Sequence, residues 1–206
     1  TIMVLELNEV IEQFFLDEDI DFSNISNEAS LQLEIAIYLR KILQDSKVSL
    51  EIPVNTLVEK DPKNLQKKDY CKKEIDIVVE HKGVQTVLEL KFVRKSAGFP
   101  MPIYHAIEDV KFCEQILQHT KTKHFITIFL TDHNCVIKSR KKNIKHIYKM
   151  FNDENPIIES FKPENKDTIT HMKKLKPIEL DNSYPFKWKN LPNKTDFKYY
   201  IITEKY

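Results

Sequence analysis

Residues 72–93, KKEIDIVVEHKGVQTVLELKFV, contain the pattern that decides the fold. Two runs rich in β-branched and aliphatic residues, 72–80 and 84–93, are separated by a short polar stretch that includes Gly83. β-branched residues favour strands, and glycine readily adopts the positive φ that tight hairpin turns require. The pattern therefore predicts a β-hairpin.

Three charged residues interrupt the apolar strands of this hairpin: Asp76 on the first strand, and Glu89 and Lys91 on the second. Side chains alternate between the two faces of a strand, so the three share a face only if paired positions add up to an odd number. A turn of two or four residues, at 80–83 or 81–84, meets that condition. Because neighbouring strands lie about 4.8 Å apart, the three polar groups would then converge.

Charged groups in half-buried strands are costly unless they are paired or bound to a metal. One interpretation is a structural salt bridge from Lys91 to Glu89 or Asp76. Two acids and one lysine, however, leave a surplus negative charge. A divalent cation would neutralise this surplus.

The elements around the hairpin indicate an α/β fold with a mixed central β-sheet flanked by helices. Alternation predicts that Ile75, Ile77 and Val79 share one face, and helical spacing predicts that the second helix buries Leu31, Ile35, Tyr38, Leu39 and Ile42. The predicted elements are helices at 3–15, from the N-cap Asn27 to about Ser46, at 103–119 and at 138–151, and strands at 48–58, 124–131, 177–180 and 197–203. We expect a core at 1–150 and a small C-terminal α+β extension at 151–206, packed as one structural domain.

The composition restricts the class of protein. The 206 residues, 41% hydrophobic and 31% charged, are typical of one sizeable soluble domain. Only two glycines occur, which excludes Gly-rich phosphate-binding loops. The apolar runs are too short to span a bilayer, no signal peptide is recognisable, and the three cysteines are widely spaced, so we expect a cytoplasmic protein without membrane contact. The seven histidines do not form an HExxH motif, which argues against a zinc hydrolase.

The chain resembles the PD-(D/E)XK (restriction-endonuclease-like) nuclease superfamily over roughly residues 27–132. The resemblance rests on Asp76, a spacing of twelve residues, and then Glu89-Leu90-Lys91. Glu34, the one charged residue between Ser30 and Arg40, matches the glutamate that this core carries on the helix before its sheet. Ile75 replaces the family's nominal proline before the first aspartate.

The resemblance implies Mg²⁺-dependent hydrolysis of phosphodiester bonds, with Mn²⁺ as a substitute. Asp76, Glu89 and the backbone carbonyl of Leu90 would bind the metal, and Glu34 would hold a metal-bound water or a second ion. Lys91 would orient or help deprotonate the attacking water and offset charge on the phosphorane. The implied target is DNA, with RNA as an alternative, the implied setting is restriction or phage defence, and a homodimer is expected. The competing hypothesis is a non-cleaving member of the fold that binds nucleic acid or a partner protein.

Candidate nucleic-acid contacts lie outside the hairpin. The segment 138–149 is rich in lysine and arginine and has no acidic residue, as expected of either a solvated face or a phosphate-binding surface. Its candidates are Lys138, Arg140, Lys141 and Lys142, and the helix at 103–119 adds Lys111 and Gln115. The aromatic residues at 184–200 suit either stacking on unpaired bases or, as we favour, packing on the core.

Overall fold

A computed structural model describes residues 2–57, 70–94, 101–133, 147, 150–152, 156–163, 175–192 and 194–204. The helices are α1 (Ile2–Leu16), α2 (Glu28–Ile42) and α3 (Met101–His119). The strands are β1 (Lys47–Pro53), β2 (Glu74–His81), β3 (Val84–Val93), β4 (His124–Thr131), β5 (Ile157–Ile158), β6 (Tyr184–Pro185), β7 (Lys189–Leu191) and β8 (Lys194–Thr203). None of the helices in these ranges is both long and apolar enough to cross a membrane.

Six of the strands form one mixed sheet in the order β1-β2-β3-β4-β8-β7. The strands β1, β2 and β3 form an antiparallel meander, whereas β3 and β4 are parallel and α3 forms the crossover between them. The C-terminal part of the chain supplies β8, which pairs antiparallel to β4, and β7, which pairs with β8. The predicted class, α/β with a mixed sheet flanked by helices, is confirmed.

The turn of the hairpin of β2 and β3 has an even number of residues, as the site requires. The last pair of the hairpin is His81 with Val84, so Lys82 and Gly83 form a two-residue turn. Their φ angles are 49° and 76°, the positive values that a type I′ hairpin turn needs at both positions. Val78 pairs with Val87, and this register places Asp76 on the same side as Glu89.

Two buried clusters cover the two faces of the sheet. The α2-side core contains residues of α1 and α2, such as Phe14 and Ile35, packed on Ile77, Leu88 and Ile126. The α3-side core contains the apolar face of α3 and buried residues of the C-terminal part such as Tyr184 and Trp188, packed on the opposite face of the strands. Both faces of the central strands are therefore buried, as is usual where helices flank a sheet.

The alternation of β1 and β2 breaks next to the site. Leu50 and Ile77 contact the α2-side core, but Ile52 and Ile75 contact the α3-side core. The residue between Leu50 and Ile52 is Glu51, whose φ of 51° lies in the left-handed region that non-glycine residues rarely adopt. The expectation that Ile75 shares a face with Ile77 was therefore wrong: the two residues pair with Ile52 and Leu50, on either side of the distorted Glu51, and pack into different cores.

The helix α2 begins where the sequence predicts. The side chain of Asn27 accepts a hydrogen bond from Ser30 N, and Ser30 Oγ accepts one from Asn27 N, so the two residues form a capping box. Of the residues expected to be buried, Ile42 is 43% exposed and the other four are buried. The expectation for Ile42 was wrong: the helix ends at that residue, and the cap residue Leu43 is buried instead. The first strand also ends earlier than predicted, since Val54–Thr56 forms a 3₁₀ turn after Pro53.

Candidate active site

The carboxylates of Asp76 and Glu89 meet where the ladder between β2 and β3 ends. The last pair at this end of the hairpin is Ile77 with Leu88. Beyond it, side-chain oxygens replace backbone acceptors: Asp76 Oδ2 accepts a hydrogen bond from Leu90 N at 2.7 Å, and Asp76 N lies 3.3 Å from Glu89 Oε1. Glu89 is only 1% exposed. Two carboxylates therefore share one small buried volume.

A third carboxylate, Asp109 of α3, reaches the same volume through Lys72. The ammonium group of Lys72 contacts Glu89 Oε2 and lies 3.0 Å from Asp109 Oδ1. Asp109 is buried, and sequence reasoning did not identify it. A signal was present, because Asp109 lies within the apolar stripe of its helix, about 60° around the axis from Ala106. Lys72 gave no comparable signal.

Lys91 lies at the open end of the cluster and is held by the N-terminus of α2. Its Nζ is 3.1 Å from both carboxylate oxygens of Glu28 and 3.5 Å from Asp109 Oδ2. Glu28 Oε2 also accepts a hydrogen bond from Phe92 N at 3.0 Å. Glu28 therefore fixes the ammonium group against the end of β3.

These contacts define the acid cluster: the carboxylates of Asp76, Glu89, Asp109 and Glu28 with the ammonium groups of Lys72 and Lys91. Full ionisation would leave the cluster with a formal charge of −2. Burial raises the pKa of Asp76 to about 6, against lowering contributions from Lys72 and Leu90 N. Burial, followed by the charges of Asp76 and Asp109, raises the pKa of Glu89 well above its usual range. The cluster is thus short of positive charge.

Both lysines of the cluster are held as cations. Burial disfavours the charged form of each, but the charge of Asp109, aided by Glu89 at Lys72 and by Glu28 at Lys91, raises both pKa values above the ordinary value. Lys91 in this arrangement is suited to stabilising negative charge. It is not suited to removing a proton from water.

Glu34 is not brought to the acid cluster. It is half-buried on α2, about 200° around the helix axis from Gln32. The buried side chain of Gln32 faces the site instead, because its Nε2 donates to the backbone oxygen of Asp76 at 2.6 Å and to Glu51 Oε1 at 2.7 Å. The residues of α2 that contact the site are therefore Glu28 and Gln32.

The candidate nucleic-acid contacts on α3 have partners within the protein. Lys111 Nζ lies 3.4 Å from both Glu114 Oε2 and Asp181 Oδ1, and Gln115 Oε1 accepts a hydrogen bond from Cys71 N at 3.1 Å. Lys138, Arg140, Lys141 and Lys142 lie outside the described residues. The aromatic residues of the C-terminal part pack on the core, with Tyr184, Trp188, Tyr199 and Tyr200 all buried.

The donors of the acid cluster suit a hard cation such as Mg²⁺, which prefers oxygen ligands. Within the described ranges, no three His, Cys, Asp or Glu side chains are already arranged around a metal position. Lys72 stands between two of the carboxylates instead. Asp109 Oδ2 is buried and accepts no hydrogen bond from the described residues, and Lys91 Nζ lies 3.5 Å from it. The Leu90 carbonyl stays a predicted ligand.

Comparison of the chain with protein-family models, with curated proteins and with solved structures gave no match.

Proposed function

We propose that this protein is a metal-dependent nuclease with a restriction-endonuclease-like core, and that the acid cluster is its catalytic centre. The observation that carries the proposal is the surplus of buried carboxylate at one end of the hairpin, next to a lysine fixed as a cation. Buried carboxylates without matching positive charge are costly, and such groups concentrate at functional sites. The order of helix, hairpin, helix and strand around the cluster adds support.

Asp76 and Glu89 are the proposed metal ligands. A bound Mg²⁺ would polarise the scissile phosphate and lower the pKa of a water molecule. Leu90 N holds the carboxylate of Asp76 in place through the 2.7 Å hydrogen bond. Gln32 holds the backbone of the same residue.

Lys91 is the proposed electrostatic catalyst. Its ammonium group, positioned by Glu28, would stabilise the additional negative charge on the phosphorane. The sequence left open whether this lysine orients the water or helps deprotonate it. The raised pKa favours orientation and charge stabilisation, because a group that retains its proton cannot act as the base.

DNA is the proposed substrate on the basis of the family resemblance. The homodimer and the setting in restriction or phage defence remain predictions of the same kind. The basic segment 138–149 is the proposed phosphate-backbone contact, since Lys111 and Gln115 are engaged in contacts within the protein.

The proposal is tested by incubating the purified protein with supercoiled plasmid, single-stranded DNA and RNA in the presence of Mg²⁺, Mn²⁺ or EDTA. We expect metal-dependent cleavage, abolished by EDTA and reduced at least a hundredfold in Lys91→Met and Asp76→Asn. Lys73→Met, which changes an exposed lysine next to β2, is the matched control and should retain full activity. Cleavage that survives in either site variant would refute the assignment.

A second candidate function is a non-cleaving protein that binds nucleic acid or a partner. The observation in its favour is the contact of Lys72 with Glu89 and Asp109, which supplies positive charge to the cluster without a metal. Absence of cleavage on all three substrates, together with absence of metal binding in calorimetry, would favour this function.

A further inference from the structure

Lys72 occupies the space between the carboxylates that a metal ion would need. Its Nζ contacts Glu89 Oε2 and lies 3.0 Å from Asp109 Oδ1. An ammonium group and a divalent cation bound by the same oxygens repel each other strongly at such distances. The two cannot share the site, so one must leave when the other binds.

The main chain next to Lys72 is attached to α3. Cys71 N and Cys71 Sγ both lie 3.1 Å from Gln115 Oε1, and Cys71 Sγ lies 3.7 Å from the backbone oxygen of Glu108. These contacts place the lysine within reach of the carboxylates. The side chain itself keeps an outward route, because it is 29% exposed.

We infer that Lys72 is a built-in counter-ion of the carboxylate site, which keeps the metal-free protein folded and leaves Glu89 and Asp109 when a divalent cation binds. The inference rests on the proposed function and adds a control on metal loading. In the metal-free form Lys72 offsets repulsion between buried carboxylates. With metal bound, its side chain turns outward into solvent.

With such a charge in place, the apparent metal affinity equals the intrinsic affinity multiplied by the fraction of molecules in which the ammonium group has moved away. Removing the ammonium group while keeping the length of the side chain should therefore tighten metal binding. It should also destabilise the metal-free protein, because the buried acids lose a partner. A merely structural ion pair would give the second effect without the first.

The test is isothermal titration calorimetry of Mg²⁺ and Mn²⁺ into the full chain, without nucleic acid, paired with thermal unfolding with and without metal. The variants are Lys72→Met, Lys72→Arg, which keeps the charge, and Lys73→Met as the exposed neighbour. We expect Lys72→Met to bind metal about tenfold tighter than the unmodified protein or more, and to gain more thermal stability from it. Lys72→Arg and Lys73→Met should bind within about twofold of the unmodified protein.

Equal affinities for Lys72→Met and the unmodified protein would overturn the inference and leave the metal site intact. Tighter binding by both Lys72→Met and Lys72→Arg would also overturn it, because charge would not be the cause. If neither the unmodified protein nor Lys72→Met binds metal, the inference and the proposed function both fail. Should Lys72→Met not fold, judged by circular dichroism, Lys72→Gln takes its place with the same expectations.

Discussion

At the scale of the residue, two glutamates of the same helix show where the structure differs from the sequence-based expectation. The sequence assigned Glu34 to the site, but the structure places Glu28 there. Glu28 holds Lys91 at 3.1 Å, whereas Glu34 lies on the flank of α2 that also carries Tyr38. We predict that Glu28→Gln lowers the rate of metal-dependent cleavage at least tenfold, because the ammonium group of Lys91 loses its orienting charge.

The matched control is Glu34→Gln, which we expect to cleave within about twofold of the unmodified protein. Both rates are measured on supercoiled plasmid under single-turnover conditions. Loss of activity in Glu34→Gln with full activity in Glu28→Gln would restore the original assignment of the helix glutamate.

The pH dependence follows from the raised pKa of Asp76. In the folded protein this pKa is about 6, against an ordinary value of 3.8, because burial disfavours the carboxylate. The folded state therefore binds the proton more tightly, and its stabilising effect is present below pH 4 and lost as pH rises through 6. We predict that this group makes the metal-free protein less stable at pH 7.5 than at pH 4 by about 2–3 kcal/mol.

Chemical denaturation across this pH range measures the change in stability. The pKa of Glu89 is raised as well, so this residue contributes in the same direction. The stability of the variant Asp76→Asn should depend less on pH. The apparent affinity for Mg²⁺ should change the opposite way and rise between pH 5 and pH 7, since the ligands must lose their protons. A metal affinity that is constant over this range would contradict the assignment of Asp76.

The proximity of Asp76 and Glu89 could be predicted because the two residues are close in sequence and the register of the hairpin follows from its turn. Glu28 and Asp109 come from two helices on opposite sides of the hairpin in sequence. Their contacts depend on how helices pack on the sheet, which alternation does not encode.

At the scale of the element, the distortion at Glu51 links α2, β1 and the site. Gln32 donates to Glu51 Oε1 and to the backbone oxygen of Asp76, so one buried amide supports both strands where their alternation breaks. We predict that Gln32→Leu destabilises the protein by about 1–3 kcal/mol, because Asp76 O loses a buried donor. Cleavage should also slow, since Asp76 is no longer held.

The control is Gln44→Leu, which changes an exposed glutamine just after the same helix and should be neutral within about 0.5 kcal/mol. Urea denaturation followed by circular dichroism compares the two. Similar stability of both variants would show that the bridge from Gln32 does not support the strands.

Elements with strong local signals were predicted well. The strand at 124–131 has the predicted bounds, and the helix after Asn27 begins at its capping box. The distortion at Glu51 was not predictable, because a glutamate in a strand gives no sign of a positive φ and tertiary contacts impose it.

At the scale of the whole molecule, Glu114 ties α3 to the C-terminal part of the chain. Its buried carboxylate accepts hydrogen bonds from Asp181 N, Asn182 N and the hydroxyl group of Tyr184 at 2.8–3.1 Å. We predict that Glu114→Ala destabilises the protein by about 3–5 kcal/mol, because several buried donors lose their acceptor. Thermal unfolding measures the change.

The control for this prediction is Glu9→Ala, which removes an exposed helix glutamate and should leave the melting temperature unchanged within about 2 °C. A small effect of Glu114→Ala would mean that the C-terminal part is held by its apolar contacts alone. The sequence predicted a strand at 197–203 but not its place beside β4, because pairing across about 70 residues leaves no local pattern.

The two-residue turn at Lys82-Gly83 also limits which insertions and deletions this hairpin can tolerate. Inserting or deleting a single residue there would move Asp76 and Glu89 to opposite faces of the sheet, whereas a change of two residues would restore them to the same face. Length variants of this hairpin that retain the acid cluster should therefore differ from one another by even numbers of residues.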